Sequence, residues 1–162
     1  MLRFSAEQVV FQEVPGEVSL AFTITGCPVG CKGCHSADSW PADRGELLTP
    51  DYLSQRLKHY HPLLSCVLML GGEWQPAALI ELLKVARDAG LNTCLYTGYE
   101  DVSEAIKQHL TYLKTGPWIA ELGGLTSPTT NQKFYDLRTQ TLLNHRFLSG
   151  DLIACTDIIG DS

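Results

Sequence analysis

Apolar and polar positions alternate between two periods along the chain, and the switches mark its elements. Glu17 to Thr25 (EVSLAFTIT) predicts a strand that ends at Gly26. Leu47 to Tyr60 predicts a helix, with Thr49 able to cap it, Pro50 suited to its first turn, and Leu53, Leu57 and Tyr60 on one face. Ser65 to Leu70 (SCVLML) is a short apolar run, expected as a buried strand closed by Gly71-Gly72. Pro76 to Ala89 is the clearest helix, its stripe formed by Leu79, Leu82, Leu83 and Ala86 and its stop by Gly90. Asn92 to Tyr96 reads as a strand ending at Thr97-Gly98, Asp101 to Leu110 as a helix, and Thr111 to Thr115 as a strand ending at Gly116. Beyond Gly116 the pattern turns irregular, with Phe134 to Arg138 as one further short strand and no element in the tail from Gly150 to Ser162. Met1 to Val14 carries Arg3, Glu7 and Glu13.

Strand–helix alternation with apolar strands predicts an α/β fold with a parallel sheet and right-handed crossovers. Ligands of such sheets bind at the carboxyl ends of the strands, where Gly26, Gly71-Gly72, Gly98 and Gly116 recur. With 162 residues, the chain is short for a full (β/α)8 barrel of about 250 residues, so a partial, open parallel barrel is expected. Residues 1–149 are expected to form one domain and 150–162 a tail. Apolar residues make up 44% of the chain and charged residues 19%, a balance that suits a globular protein with a real core. A net charge of −6 disfavours nucleic acid as a partner. No run approaches the ~18 apolar residues of a membrane helix, and the start lacks a signal-peptide core, so no membrane association and a cytoplasmic location are expected.

Three of the six cysteines fall in Cys27-Pro28-Val29-Gly30-Cys31-Lys32-Gly33-Cys34-His35, spaced C-x3-C-x2-C. In a reducing compartment clustered cysteines read as ligands or catalytic thiols. Three thiolates on one iron–sulfur cube leave a metal position open, which is how a catalytic metal site differs from a closed structural one. Structural zinc with His35 as fourth ligand, and three unliganded cysteines, are the alternatives. Adjacent Cys34 and His35 suit zinc poorly, and a loop rich in Gly and Pro suits core packing poorly. Gly71-Gly72-Glu73 is either a backbone that a ligand approaches closely or an ordinary strand-to-helix turn. Lys114, in an otherwise apolar strand, faces a ligand carboxylate or lies at an exposed strand end. Cys66 and Cys94 read as small core residues. His59, His61, His109 and His145 lack ligand spacing.

The cysteine motif followed by an aromatic residue, together with Gly71-Gly72-Glu73, resembles the signature of the radical S-adenosylmethionine (SAM) superfamily. The segments Glu13–Glu17, Gly26-Cys27-Pro28, Cys31–His35, Tyr96–Tyr99, Lys114–Trp118 and Ser127–Gln132 resemble the short glycyl-radical activases, and among them those serving the anaerobic (class III) ribonucleoside-triphosphate reductase. The similarity runs from about Val10 to Leu137. It implies a radical SAM oxidoreductase in which Cys27, Cys31 and Cys34 hold a [4Fe-4S] cluster that binds and reductively cleaves SAM. A 5′-deoxyadenosyl radical then takes hydrogen from a glycine of the reductase, with a flavodoxin-like protein as electron donor. By position, His35 would lie against the adenine, Gly71, Gly72 and Glu73 would form the amino-group site, and Thr97 and Lys114 would join the SAM pocket. Asn131 and Gln132 match a family motif without a derivable role. Trp74 stands where proline is more common, and Thr111 where many relatives have Asp, which removes an expected carboxylate contact near Lys114.

Overall fold

The β2 segment SLAFTI (Ser19–Ile24) shows how the sheet is built. Leu20, Phe22 and Ile24 face one hydrophobic cluster and Ala21 faces another, because successive strand side chains point to opposite sides. A computed structural model describes residues 2–11, 13–25, 46–116, 122, 125 and 130–144. Around β2 the described strands are β1 (Arg3–Val10), β3 (Glu46–Leu47), β4 (Cys66–Leu70), β5 (Asn92–Tyr96), β6 (Tyr112–Thr115), β7 (Lys133–Asp136) and β8 (Thr141–Leu142). They form one eight-stranded sheet in the order β3-β1-β2-β4-β5-β6-β7-β8.

Only β2, β4, β5 and β6 run parallel to one another. The pairs β1–β2, β1–β3, β6–β7 and β7–β8 are antiparallel. The expected all-parallel sheet is therefore a parallel centre with an antiparallel margin on each side. The strand expected over 134–138 is β7, displaced by a residue or two.

The helices α1 (Pro50–Tyr60), α2 (Pro76–Asp88) and α3 (Glu104–Lys107) connect the parallel strands. Thr49 caps α1 by accepting from the Tyr52 N–H at 3.1 Å, with Pro50 in the first turn. In α2, Leu79, Leu82, Leu83 and Ala86 are buried, as their stripe predicts. The chain reverses after α2 at Gly90, whose φ of 83° favours glycine. The third helix is four residues long, shorter than the stretch from Asp101 to Leu110 suggested; Ser103 caps it.

Buried residues of all three helices join the same cluster as Leu20, Phe22, Ile24, Val67, Met69, Leu95 and Leu113, so the helices cover one face. The other face buries Val14, Ala21, Cys66, Leu68, Cys94, Tyr112 and Phe134. Val14 is fully buried there, carried in by the connection between β1 and β2. Cys66 and Cys94 are free core thiols, as expected, and burial raises the pKa of each above its ordinary value. Among the described residues, no helix is long and apolar enough to cross a membrane.

Candidate functional site

One row of register partners crosses the sheet near the carboxyl ends of its parallel strands. Thr23 pairs with Leu70, Leu70 with Tyr96, Tyr96 with Lys114, and Lys114 with Phe134. Laterally paired residues share a face. Leu95 and Leu113 face the helices, so Tyr96 and Lys114 face the opposite side. There the Lys114 Nζ lies 5.3 Å from the centre of the Tyr96 ring, a cation–π distance. The Tyr96 hydroxyl donates to the Glu13 carbonyl, fixing the ring from its far end. Lys114 is half-buried and stands in the wall of this face, not at an exposed strand end.

The loops that leave this edge meet. The Thr97 hydroxyl donates to Glu73 Oε2 at 2.6 Å and accepts from the backbone N–H of Tyr99 at 3.1 Å. The Thr97 N–H donates to the Lys114 carbonyl at 2.9 Å, and the Gly71 N–H to the Tyr96 carbonyl at 3.1 Å. The ends of β4, β5 and β6 are thus tied together, which brings Glu73, Thr97 and Lys114 near one another. Glu73 Oε1 is buried without a hydrogen-bond partner among the described residues. Burial raises the Glu73 carboxyl above its usual range, opposed by the Thr97 bond, a backbone N–H and the Lys114 charge. A buried carboxylate oxygen with an unused acceptor suits a cationic donor. Beside the Lys114 ammonium, the pair can accommodate a zwitterion such as the amino-acid end of a ligand.

Gly71 and Gly72 have φ of 106° and 108°, in the region that favours glycine. A Cβ on Gly71 would lie 2.7 Å from Trp74 Cη2, and one on Gly72 would lie 3.2 Å from Leu2 Cδ1. The close approaches to these two glycines therefore come from the protein itself. Trp74 packs against the turn, and Glu73 stands before Gln75, the N-cap of α2, outside the helix's first turn. Gly116, with φ of 100°, donates its N–H to the Tyr99 carbonyl at 2.8 Å. A Cβ there would be 3.1 Å from the Asn131 carbonyl oxygen. Asn131 and Gln132 thus pack on the end of β6, and Gln132 is buried. That gives the motif a position, which the sequence alone did not supply.

Thr111 is a correction. It stands before β6 and exchanges hydrogen bonds with Thr93: the Thr93 N–H donates to Thr111 Oγ1 at 3.1 Å, and the Thr111 N–H to Thr93 Oγ1 at 3.2 Å. Position 111 therefore serves the amino end of the sheet, about 10 Å along the strand from Lys114, and a carboxylate there would not meet Lys114.

Sequence reasoning also missed Glu17. Its carboxylate accepts from Ser65 Oγ at 2.6 Å, Asn92 Nδ2 at 2.8 Å and the Tyr112 hydroxyl at 2.8 Å. It ties the starts of β4, β5 and β6 to the entry of β2, at the end of the sheet away from Glu73.

Cys27, Cys31, Cys34 and His35 lie outside the described residues. The position from which their segment departs is described. Ile24, three residues before Cys27, ends β2; its side chain lies 3.6 Å from where a Gly71 Cβ would be and 3.8 Å from where a Gly72 Cβ would be. The end of β2 therefore lies beside the Gly71-Gly72 turn.

Residues 14–116 match a protein family described as a 4Fe-4S single cluster domain. The chain is also similar to a pyruvate formate-lyase-activating enzyme of Clostridium pasteurianum, with 31% identity over 112 residues. That alignment covers 64% of this chain and 47% of the relative, so the chain spans about half the length of the curated relative it matches.

Proposed function

The chain belongs to the 4Fe-4S single cluster domain family, and from that premise we propose that it is a radical SAM activase generating the glycyl radical of the anaerobic ribonucleoside-triphosphate reductase. The observation that carries this reading is the buried Glu73 carboxylate. It is held by Thr97, keeps an unused oxygen, and follows the Gly71-Gly72 turn that packs near Ile24, the last residue of β2 and three positions before Cys27 in sequence. Those cysteines would hold the [4Fe-4S] cluster. Glu73 would take the SAM amino group, Lys114 its carboxylate, and His35 would lie against the adenine. When bound, cluster and SAM supply a 5′-deoxyadenosyl radical able to take hydrogen from a glycine Cα.

The protein's own part is positional. Thr97 orients Glu73, the Tyr96 ring steadies the Lys114 ammonium, and the turns at Gly71-Gly72 and Gly116 hold the strand ends in register. A flavodoxin-like protein would supply the electron, and the protein would work in the cytoplasm.

The relative that activates pyruvate formate-lyase favours a second reading, in which another glycyl-radical enzyme is the target. Anaerobic incubation of the reconstituted, reduced protein and SAM with purified reductase, and separately with pyruvate formate-lyase, distinguishes the two by electron paramagnetic resonance. The proposal expects a glycyl-radical doublet on the reductase. A doublet on pyruvate formate-lyase alone would replace the target, and no doublet on either would overturn the activase reading.

A further inference from the structure

Five large hydrophobic side chains are exposed among the described residues: Phe11, Leu47, Leu63, Tyr99 and Leu142. Tyr99 is the one on a loop leaving the carboxyl end of a parallel strand, at 40% exposure. Its backbone is fixed on both sides, the N–H donating to Thr97 Oγ1 and the carbonyl accepting from the Gly116 N–H. The exposed ring thus sits on the loop after the Thr97 strand end, on a backbone held by hydrogen bonds on both sides, which lowers the ordering cost when something packs on it. Tyrosine suits such a place, offering a large amphipathic area with few rotatable bonds.

The surroundings are acidic. Glu100 is exposed, and the side chains of Asp101 and Glu104 are 66% and 82% exposed. One lysine, Lys107, pairs with both Asp101 at 2.8 Å and Glu104 at 3.4 Å. Three carboxylates against one ammonium leave this rim net negative, and charge complementarity favours a positively charged visitor.

We propose that Tyr99 and its acidic rim dock the protein substrate, through a segment that lays an apolar or aromatic surface on the Tyr99 ring and basic side chains against Glu100 and Glu104. This rests on the activase reading above, because it assigns the mouth of that same site to a macromolecular partner.

The test compares wild type with Tyr99→Ala, Tyr99→Phe and Glu100→Lys, all reconstituted and reduced. Two rates are measured: 5′-deoxyadenosine formation without partner, and glycyl-radical formation on purified reductase as its concentration is varied. Tyr99→Ala is expected to leave the partner-free rate within twofold and to raise the KM for reductase about tenfold or more. Tyr99→Phe should restore most of the affinity. Glu100→Lys should raise KM severalfold at low salt, with the difference shrinking as ionic strength rises.

An unchanged KM in Tyr99→Ala would overturn the docking proposal. So would an equal loss of the partner-free rate, which would make the residue part of the site's scaffold. A wild-type protein that forms 5′-deoxyadenosine but places no radical on the reductase would overturn the choice of target, and the docking proposal with it. That failure is visible in the wild type before any variant is made.

Discussion

Replacing Thr97 with valine removes one hydroxyl and little else. The side chain is 1% exposed, and valine fills nearly the same volume, so the loop keeps its shape. Two hydrogen bonds disappear: the 2.6 Å donation to Glu73 and the acceptance from the Tyr99 N–H at 3.1 Å. A hydrogen bond to a charged group is worth about 1.5–3 kcal/mol. At about 1.4 kcal/mol per tenfold, loss of the bond that holds the Glu73 carboxylate ionised and oriented should weaken SAM binding roughly ten- to a hundredfold near neutral pH.

The pH dependence carries a second signature. Burial raises the Glu73 carboxyl and the Thr97 bond opposes that rise, so Thr97→Val should raise it further. An ammonium is bound by the carboxylate form, so affinity is lost as pH falls through the Glu73 pKa. The acid limb of the affinity profile should therefore move to higher pH in the variant. In the ligand-free protein the sign is opposite. The folded state holds this proton more tightly than the unfolded chain, so the Glu73 contribution to stability declines as pH rises through the raised value. Anaerobic equilibrium dialysis with labelled SAM across a pH series reads both effects, and a thermal melt checks the fold. Unchanged affinity and an unmoved acid limb, in a folded and cluster-loaded variant, would refute the role given to the Thr97–Glu73 pair.

Further outcomes follow from other parts of the molecule. Cys31→Ala should abolish iron binding on reconstitution, whereas Cys94→Ala, which removes a fully buried thiol from the core, should keep its iron and lose only packing stability; equal iron loss in both would refute the ligand assignment. Glu17→Ala leaves Ser65, Asn92 and Tyr112 without their shared acceptor and should cost about 2–3 kcal/mol in denaturant unfolding, with SAM affinity of the folded variant unchanged; a loss below about 0.5 kcal/mol would show that the clamp contributes little. Gly116→Ala forces a side chain onto a φ of 100° and within 3.1 Å of the Asn131 carbonyl oxygen, and should lower stability by about 1–3 kcal/mol, measured by the same unfolding assay.

The parallel centre was legible because its strands are apolar runs, each closed by a turn residue, and α2 carries an unbroken stripe. The margins were not. In β1 the pairing shifts between Phe4 and Ala6, a bulge that breaks the two-residue period just where a strand would have been recognised. The edge strands β3 and β8 are two residues long, too short for any period, and periodicity says nothing about strand direction. Gly71, Gly72, Glu73, Thr97 and Lys114 were legible as strand-end positions because each lies at or just after the end of a parallel strand. The Glu17 clamp and the perch of the Lys114 ammonium over the Tyr96 ring depend on contacts between residues far apart in sequence, which no local pattern encodes. Thr111 misled for the opposite reason: it is near Lys114 in sequence, yet three residues along an extended chain put it at the other end of β6, bonded to Thr93.

The proposed function rests on three cysteines that run SAM chemistry. It is tested most directly by reconstituting the protein anaerobically with iron and sulfide, reducing it, adding SAM and quantifying 5′-deoxyadenosine, alone and with the reductase. Product that disappears in the Cys27/Cys31/Cys34 triple alanine variant is the expected result. An intact, reduced cluster that gives no 5′-deoxyadenosine in either condition would contradict it and make the centre structural.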